Sequence, residues 1–192
     1  MPAPYQEKDA HAFVTSSAPA LIERGGRTWS VLDAGTGRLL GNVGVPRVAP
    51  ADGVAEVGYW VAPWARRQRV AARAAVAATK WAFAHGSGRV ELMTDVRNTP
   101  SQRVAIAAGF VRESVRTSAG TDRDGSRTDL ICWRRLPGDP DGPSKRLLPD
   151  LRPRVSPTES SSSVRPFPAT LRVCWSVSGT RRPSAGCSSR VS

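Results

Sequence analysis

Residues 56–84 read EVGYWVAPWARRQRVAARAAVAATKWAFA, and this stretch decides the fold. The run that ends at Val61 predicts a strand, and Pro63 closes it because proline cannot donate to a sheet. After an arginine-rich loop, apolar residues recur at helical spacing from Val70 to Trp81. The stretch therefore predicts a strand, a basic loop and the start of a helix that packs on the sheet.

The basic loop lies directly before the predicted helix. A helix N-terminus presents unpaired backbone N–H groups and the positive end of the helix dipole. The arginines directly before the helix therefore predict a binding site for a phosphorylated ligand; they are Arg66, Arg67 and Arg69. A solvated basic turn without a ligand is the alternative interpretation.

A second stretch, DVRNTPSQRVAIAAGF at residues 95–110, adds to this pattern. Together the two stretches resemble the GNAT superfamily of acyl-CoA-dependent N-acetyltransferases, and they are most similar to its ribosomal-protein-alanine acetyltransferase subfamily. The resemblance covers residues 4–135 and implies acetyl-CoA as the donor cosubstrate, with no metal. It also implies an amine as the acceptor, either a small molecule or a protein N-terminus.

The same resemblance assigns residues to the cosubstrate. The backbone of Val61 and Ala62, at the end of the predicted strand, would pair with the pantetheine arm, and Asn98 would contact the same arm. The loop residues that would bind the pyrophosphate are Arg66, Arg67, Gln68, Arg69, Val70 and Ala71.

One departure from the family pattern lies in this loop. Where the family motif Arg-Gly-x-Gly-x-Ala has glycines, this chain has Arg67 and Arg69. Glycine lets backbone N–H groups converge on a pyrophosphate through conformations that side chains disfavour. A left-handed Arg69 would cost about 1–2 kcal/mol, and a charge-assisted contact to phosphate would return a similar amount.

Direct acetyl transfer requires an aligned amine, a proton acceptor and a stabilised leaving thiolate, but no nucleophile on the protein. By the resemblance, Ser101 lies near the thioester, where its hydroxyl would hydrogen-bond the thiolate. Glu56, on the strand beside the cosubstrate, is the best carboxylate for a general base, and a water chain is the alternative. Structural roles stay open here, with Asn98 as a turn residue, Ser101 as a helix-start residue and Glu56 in a salt bridge.

Composition weighs against several other classes of protein. Without an apolar run of about 18 residues or a signal-like N-terminus, we expect a soluble cytoplasmic chain that does not enter a membrane. The three cysteines form no CxxC pair, so neither a disulfide framework nor a zinc site is indicated. The net charge of +12 would attract polyanions, but basic strands interleaved with aromatic residues are lacking, and nucleic acid is not favoured.

The rest of the chain predicts a mixed domain. The predicted helices lie at residues 6–15, 20–24, 70–84 and 99–108, and the predicted strands at 28–33, 38–45, 54–61, 90–96, 110–116 and 128–135, with a loop at 46–53. This pattern predicts the α/β (or α+β) class, with a mostly antiparallel sheet and helices on both faces. The resemblance implies that the domain is a GNAT fold. Family members usually begin with one more strand and helix. Their absence would leave a sheet edge exposed, or covered by a second chain as in a homodimer.

Residues 1–136 form the predicted acetyltransferase domain, and the character of the sequence changes in residues 137–192. Proline, serine, arginine and glycine dominate there, and residues 155–192 contain 11 serines. Such a composition buries too little apolar surface to offset the entropy of ordering. This part is predicted to be a disordered basic tail.

The sequence leaves two functions open. The first is an N-acetyltransferase that moves acetyl from acetyl-CoA to a primary amine. The alternative is a catalytically weak or inactive GNAT-like module that binds a partner or a polyanion through its basic surface. Arg67 and Arg69, in place of the loop glycines, favour that alternative.

Overall fold

The computed structural model describes residues 6–49, 53–122, 124–145, 171–175 and 190–191, with the backbone only at 47–49, 171–175 and 190–191. The strands are β1 (Arg27–Asp33), β2 (Leu39–Ala49), β3 (Val54–Val61), β4 (Arg89–Asp95), β5 (Val111–Thr121), β6 (Arg127–Arg135), β7 (Leu171–Trp175) and β8 (Arg190–Val191). The helices are α1 (Glu7–Ala12), α2 (Ala18–Glu23), α3 (Val70–Ala84) and α4 (Thr99–Ala107), with a π-helical turn at Phe13–Ser17 and a 3-10 turn at Pro63–Ala65.

All of these strands join in one sheet, in the order β5-β6-β4-β3-β2-β1-β7-β8. Neighbouring strands are antiparallel except β3 and β4, which run parallel because α3 connects them as a crossover. The predicted α/β class with a mostly antiparallel sheet is therefore confirmed.

The main core lies between the sheet and α3. The ring of Trp29 on β1 meets the ring of Trp81 on α3 edge to face, with 5.2 Å between the ring centroids. On α3 the side chains of Ala74 and Ala78 are buried against the sheet, whereas Ala77 is only partly buried. The buried side chains that the strands contribute include Val31, Val43, Val45, Ala55, Val57, Val90, Leu92, Ile131 and Trp133.

The N-terminal helices form one continuous helical run instead of two separate helices. The junction residues Ala12 and Ser17 both have right-handed helical dihedral angles. The Ala18 N–H bonds to the Phe13 carbonyl five residues earlier, so this bond spans one residue more than an α-helical bond. The π-helical turn lies just before Pro19, which has no N–H to donate. None of the helices in the described part of the chain is long and apolar enough to cross a membrane.

Strand β2 is longer than the sequence predicts. The predicted loop at residues 46–53 is wrong for its first four residues, because the strand continues through Pro46 to Ala49. The register of β2 against β3 shifts between Gly44 and Arg47. The missing N–H of Pro46 thus falls at a strand irregularity, which is where sheets tolerate proline.

Residues 137–145, at the start of the predicted tail, contact the folded domain. The Ser144 N–H donates to the Ile106 carbonyl of α4 over 2.9 Å. The Asp141 carboxylate lies 2.7 Å from the buried guanidinium of Arg135. A buried charge requires a partner of opposite charge, and the last carbonyl groups of a helix accept hydrogen bonds from outside the helix. Residues 137–145 supply one of each, which their composition does not reveal.

A second part of the predicted tail contributes two short strands to the sheet. Strand β7 pairs with β1 from Trp29 opposite Trp175 to Asp33 opposite Leu171, and β8 adjoins its outer side. Strand β7 occupies the sheet edge at β1, which was expected to be exposed or covered by another chain. An edge strand offers unpaired backbone groups with which an extended segment can pair. The rest of the tail, residues 146–170, 176–189 and 192, lies outside the described residues.

The segment after β6 should contribute measurably to stability. We expect a chain that ends at Leu136 to be less stable than one that ends at Lys145 by about 1 kcal/mol, because it loses the hydrogen bonds of Ser144 and Asp141. Both chains lack β7, so the comparison isolates residues 137–145. The measurement is the thermal midpoint, expected to be a few degrees lower in the shorter chain. Equal midpoints would show that the segment contributes nothing.

Candidate functional site

Strands β3 and β4 separate part-way along their length. They pair at the start of β3 as far as Glu56 opposite Glu91, while β3 continues to Val61 and β4 to Asp95. On its other side β3 remains paired with β2. Two parallel strands that open in this way leave a gap, and the backbone groups that line it have no strand partner.

The backbone of Tyr59 and Val61 faces this gap. The Ala62 N–H donates to the Leu40 carbonyl on β2 over 2.9 Å, and the Ala62 carbonyl accepts from Ala65 at the same distance. Because successive residues of a strand direct their N–H and C=O groups to opposite sides, the groups of Val61 and Tyr59 point away from β2. Val61 is therefore available for the predicted pantetheine contact, whereas the N–H of Ala62 is already used within the fold.

Two residues of the arginine loop have a backbone conformation that glycine adopts more readily than other residues. Arg67 and Arg69 both lie in the left-handed region, with φ of 61° and 55°. Each such residue costs about 1–2 kcal/mol because its Cβ crowds the backbone. Arg66, by contrast, is extended, with φ −69° and ψ 158°. The side chains of all three arginines are exposed to solvent.

The loop leads into the N-terminus of α3, which has no side-chain cap and no acidic residue in its first turn. The first helical hydrogen bond runs from the Arg73 N–H to the Arg69 carbonyl over 3.1 Å. The N–H groups of Val70, Ala71 and Ala72 find no acceptor within the described residues. Unpaired N–H groups at a helix N-terminus, with exposed arginines beside them, are groups of the kind that bind anions in proteins.

Gln68 has a structural role in this loop. Its side-chain amide donates to the Trp64 carbonyl over 3.1 Å, so the loop folds back on the 3-10 turn that precedes it. The predicted pyrophosphate contact of Gln68 can therefore come from its backbone, while its side chain holds the loop.

Ser101 lies in the first turn of α4, and its hydroxyl meets the hydroxyl of Tyr59 on β3. The two oxygens are 2.8 Å apart, and either can donate. The Tyr59 hydroxyl also lies 3.4 Å from the Ser101 carbonyl oxygen, which can only accept. Burial raises the pKa of the Tyr59 phenol, so this group stays protonated near neutral pH.

Asn98 caps α4. Its side-chain oxygen accepts the Ser101 N–H over 3.1 Å, so its structural role is that of a helix cap. Its side-chain N–H groups make no hydrogen bond in the part of the chain that the structure describes, so they remain available to the cosubstrate. Asn98 therefore fixes the helix start through its side-chain oxygen alone.

The turn before Asn98 is fixed by charge. The Asn98 N–H donates to the Asp95 carbonyl over 2.9 Å, and the Asp95 carboxylate accepts from Arg97 and from the Thr128 hydroxyl. The Arg97 guanidinium holds the pKa of Asp95 well below its usual range, and the Arg97 side chain also bridges to Asp122 near the end of β5. These contacts hold the end of β4 and the start of α4 in one geometry.

Glu56 lies apart from the hydroxyl pair. It occupies the last position at which β3 pairs with β4, and side-chain alternation directs it to the opposite sheet face from Tyr59. No hydrogen bond joins Glu56 to Ser101 within the described residues. The structure thus does not bring the two predicted catalytic residues into contact, and a route from the amine to Glu56 would need an intervening water.

A separate cluster spans β4, β5 and β6. Glu91, Glu113 and Cys132 each place one potential ligand atom within 4.8 Å of the others. Arg89 forms salt bridges with both carboxylates, and Arg116 pairs with Glu91. Two arginines balance the two carboxylates, so the cluster is explained as a network of ion pairs.

Tyr59 is the site residue that the sequence prediction misses. It precedes Ser101 by 42 residues, and no local pattern indicates that the two side chains meet. The available signal was the alternation of β3, which places Tyr59 on the same face as Val57 and Val61.

Comparisons with known proteins identify the family and the fold of the chain. A family model described as "Acetyltransferase (GNAT) domain" matches residues 1–111 of the chain. No curated protein sequence gave a significant match.

Solved structures share the fold. The ribosomal-protein-S5-alanine acetyltransferase of Vibrio fischeri is 24% identical, with 71% of this chain and 80% of that chain covered and a TM-score of 0.61. Microcin C7 self-immunity acetyltransferase MccE, solved with acetyl-CoA and AMP, is 17% identical, with 71% and 76% covered and a TM-score of 0.59. Spermidine/spermine N-acetyltransferase SpeG of Vibrio cholerae is 20% identical, with 68% and 74% covered and a TM-score of 0.53. Because the family model matches more than half of the 192 residues, the chain belongs to the GNAT family of acetyl-CoA-dependent acetyltransferases.

Proposed function

We propose that this protein transfers an acetyl group from acetyl-CoA directly to a primary amine. The observation that carries the proposal is the gap between β3 and β4. Its β3 side offers the backbone of Tyr59 and Val61, one end holds the N-terminus of α3, and Ser101 stands at the start of α4. A long anionic thioester could lie along these features from its phosphates to its sulfur.

Each part of the gap suits one part of acetyl-CoA. The pyrophosphate would bind the free N–H groups of α3 and the exposed side chains of Arg66, Arg67 and Arg69. The amide groups of the pantetheine arm would pair with the Val61 backbone and with the side-chain N–H of Asn98. These contacts would position the thioester near Ser101. The contacts between the arginines and the phosphates would weaken as the salt concentration rises.

The reaction needs few groups on the protein. The lone pair of the amine nitrogen attacks the thioester carbonyl carbon, the C–S bond breaks, and the sulfur leaves as a thiolate. Ser101 donates a hydrogen bond to that sulfur, and the nitrogen loses one proton to a base. Glu56 is proposed to accept this proton through a water molecule, because it lies on β3 beside the gap but on the other face of the sheet.

For the acceptor we propose a peptide or protein N-terminus. The related structures include enzymes named for alanine of a ribosomal protein and for spermidine. This chain carries a net charge of +12, which would repel a polycation such as spermidine. A peptide that begins with alanine or serine carries one amine and no such excess of charge.

The experiment measures thiol release from acetyl-CoA in the presence of alanyl peptides, seryl peptides or spermidine. We expect peptide-dependent release and a smaller response to spermidine. Thiol release with spermidine but with neither peptide would show that the acceptor is a polyamine. No release with any amine would contradict the enzyme and favour the binding module.

That second candidate rests on the left-handed arginines. If the strain at Arg67 and Arg69 prevents the loop from closing on a pyrophosphate, the same basic surface would bind another polyanion without catalysis. Binding of heparin in the absence of any acetyl-CoA binding would support the binding module.

A further inference from the structure

We propose that Tyr59 is a positioning residue that directs the proton of the Ser101 hydroxyl toward the leaving sulfur. The inference rests on the proposed function, since it concerns the thiolate formed in that reaction. Its basis is the 2.8 Å contact between the Tyr59 and Ser101 hydroxyls, which joins β3 to the start of α4. This contact links two elements that flank the gap.

Two arrangements of the protons fit the oxygen positions. In the closed arrangement, Ser101 donates to Tyr59 and Tyr59 donates to the Ser101 carbonyl, 3.4 Å away. No hydroxyl proton is then left for a ligand. In the open arrangement, Tyr59 donates to the Ser101 hydroxyl at 2.8 Å, and the Ser101 proton is free to point into the gap.

An anion in the gap selects the open arrangement. The short contact is the better hydrogen bond, because 3.4 Å is long for O–H···O. Donation from Tyr59 polarises the Ser101 hydroxyl, so Ser101 becomes a stronger donor to a developing thiolate. No covalent bond of either side chain breaks in this step. The positive end of α4 favours negative charge at the same place.

The Asn98 cap completes the positioning. It holds the Ser101 N–H at 3.1 Å, so the backbone at Ser101 cannot rotate freely. With the backbone held by Asn98 and the hydroxyl oxygen held by Tyr59, the serine proton is left free to donate to a ligand. The proposal places the thioester sulfur as that ligand.

The kinetic test is a double-mutant cycle. Tyr59→Phe keeps the ring and removes the hydroxyl, and we expect kcat to fall about 5-fold while KM for acetyl-CoA changes less than about 2-fold. Adding Tyr59→Phe to Ser101→Ala should cause no further loss, because Tyr59 acts through Ser101. An equal loss in both backgrounds, or a change in KM alone, would overturn the proposal. Thermal midpoints check folding, and Tyr59→Met replaces the phenylalanine variant if that one does not fold.

A binding measurement tests the same point without turnover. Free CoA carries a thiol, which titrates near about pH 8.5 if it behaves like cysteine. In the unaltered protein, CoA affinity relative to acetyl-CoA should rise about 3-fold or more from about pH 7 to about pH 9.5, because Ser101 donates to the thiolate. Tyr59→Phe and Ser101→Ala should each lose most of this rise.

The outcomes of this titration separate the two proposals. If the rise is present and depends on Tyr59 but no amine is acetylated, the proposed acetyl transfer fails and the role of Tyr59 stands. If acetyl transfer occurs but the rise is absent, or is the same in Tyr59→Phe, the role of Tyr59 is overturned. If neither CoA nor acetyl-CoA binds, both proposals fail.

Discussion

Ser101→Ala is expected to lower turnover about 10-fold or more, while the affinity for acetyl-CoA changes little. The hydroxyl is proposed to donate to sulfur only as the C–S bond breaks, so its loss raises the barrier without weakening ground-state binding. In the structure the Ser101 hydroxyl is held at 2.8 Å from the Tyr59 hydroxyl at the start of α4. Steady-state kinetics and calorimetry with acetyl-CoA measure the two quantities separately.

A neighbouring hydroxyl provides the control for this substitution. Thr99 is exposed in the same turn of α4, and Thr99→Ala removes a hydroxyl that does not contact Tyr59. Its turnover should stay within about 2-fold of the unaltered protein. Equal activity of Ser101→Ala and Thr99→Ala would show that the Ser101 hydroxyl has no part in catalysis and that Ser101 is only a helix-start residue held by Asn98.

Arg69→Gly is expected to tighten acetyl-CoA binding about 5- to 10-fold. Arg69 has φ 55° and ψ 12°, so glycine relieves a left-handed side chain and lets the loop N–H groups close on the pyrophosphate. One charge is lost, but Arg66 and Arg67 remain on the same loop. Calorimetry at two ionic strengths measures the affinity and its dependence on charge.

Two further variants separate strain from charge. Arg69→Ala removes the same charge but keeps a Cβ in the left-handed conformation, so it should not tighten binding. Arg66→Gly also removes one charge, but at an extended residue where no strain is relieved. If Arg69→Gly instead weakens binding by about 1–2 kcal/mol and flattens the salt dependence, Arg69 is a phosphate ligand.

The central strand could be predicted from sequence because its signals are local. Strand β3 spans Val54–Val61 as predicted, since apolar alternation marks its length and Pro63 ends it. The start of α4 at Thr99 agrees with the predicted helix at residues 99–108, because Pro100 favours the first turn of a helix. The loop departure at Arg67 and Arg69 was also visible in the sequence.

Other features depend on contacts between distant parts of the chain. The continuation of β2 through Pro46 depends on a register shift against β3, which a single strand does not reveal. Strand β7 forms because the edge of β1 is open, and its own composition predicts disorder. The Tyr59–Ser101 contact likewise requires the fold, because β3 and α4 are joined only through α3 and β4.

Titration of the full chain with acetyl-CoA in a calorimeter tests the central claim most directly. The claim is that the gap between β3 and β4, with the arginine loop at its end, binds this cosubstrate. We predict saturable binding with a Kd in the micromolar range, and weaker binding as salt is raised. No heat of binding at millimolar acetyl-CoA would contradict the claim.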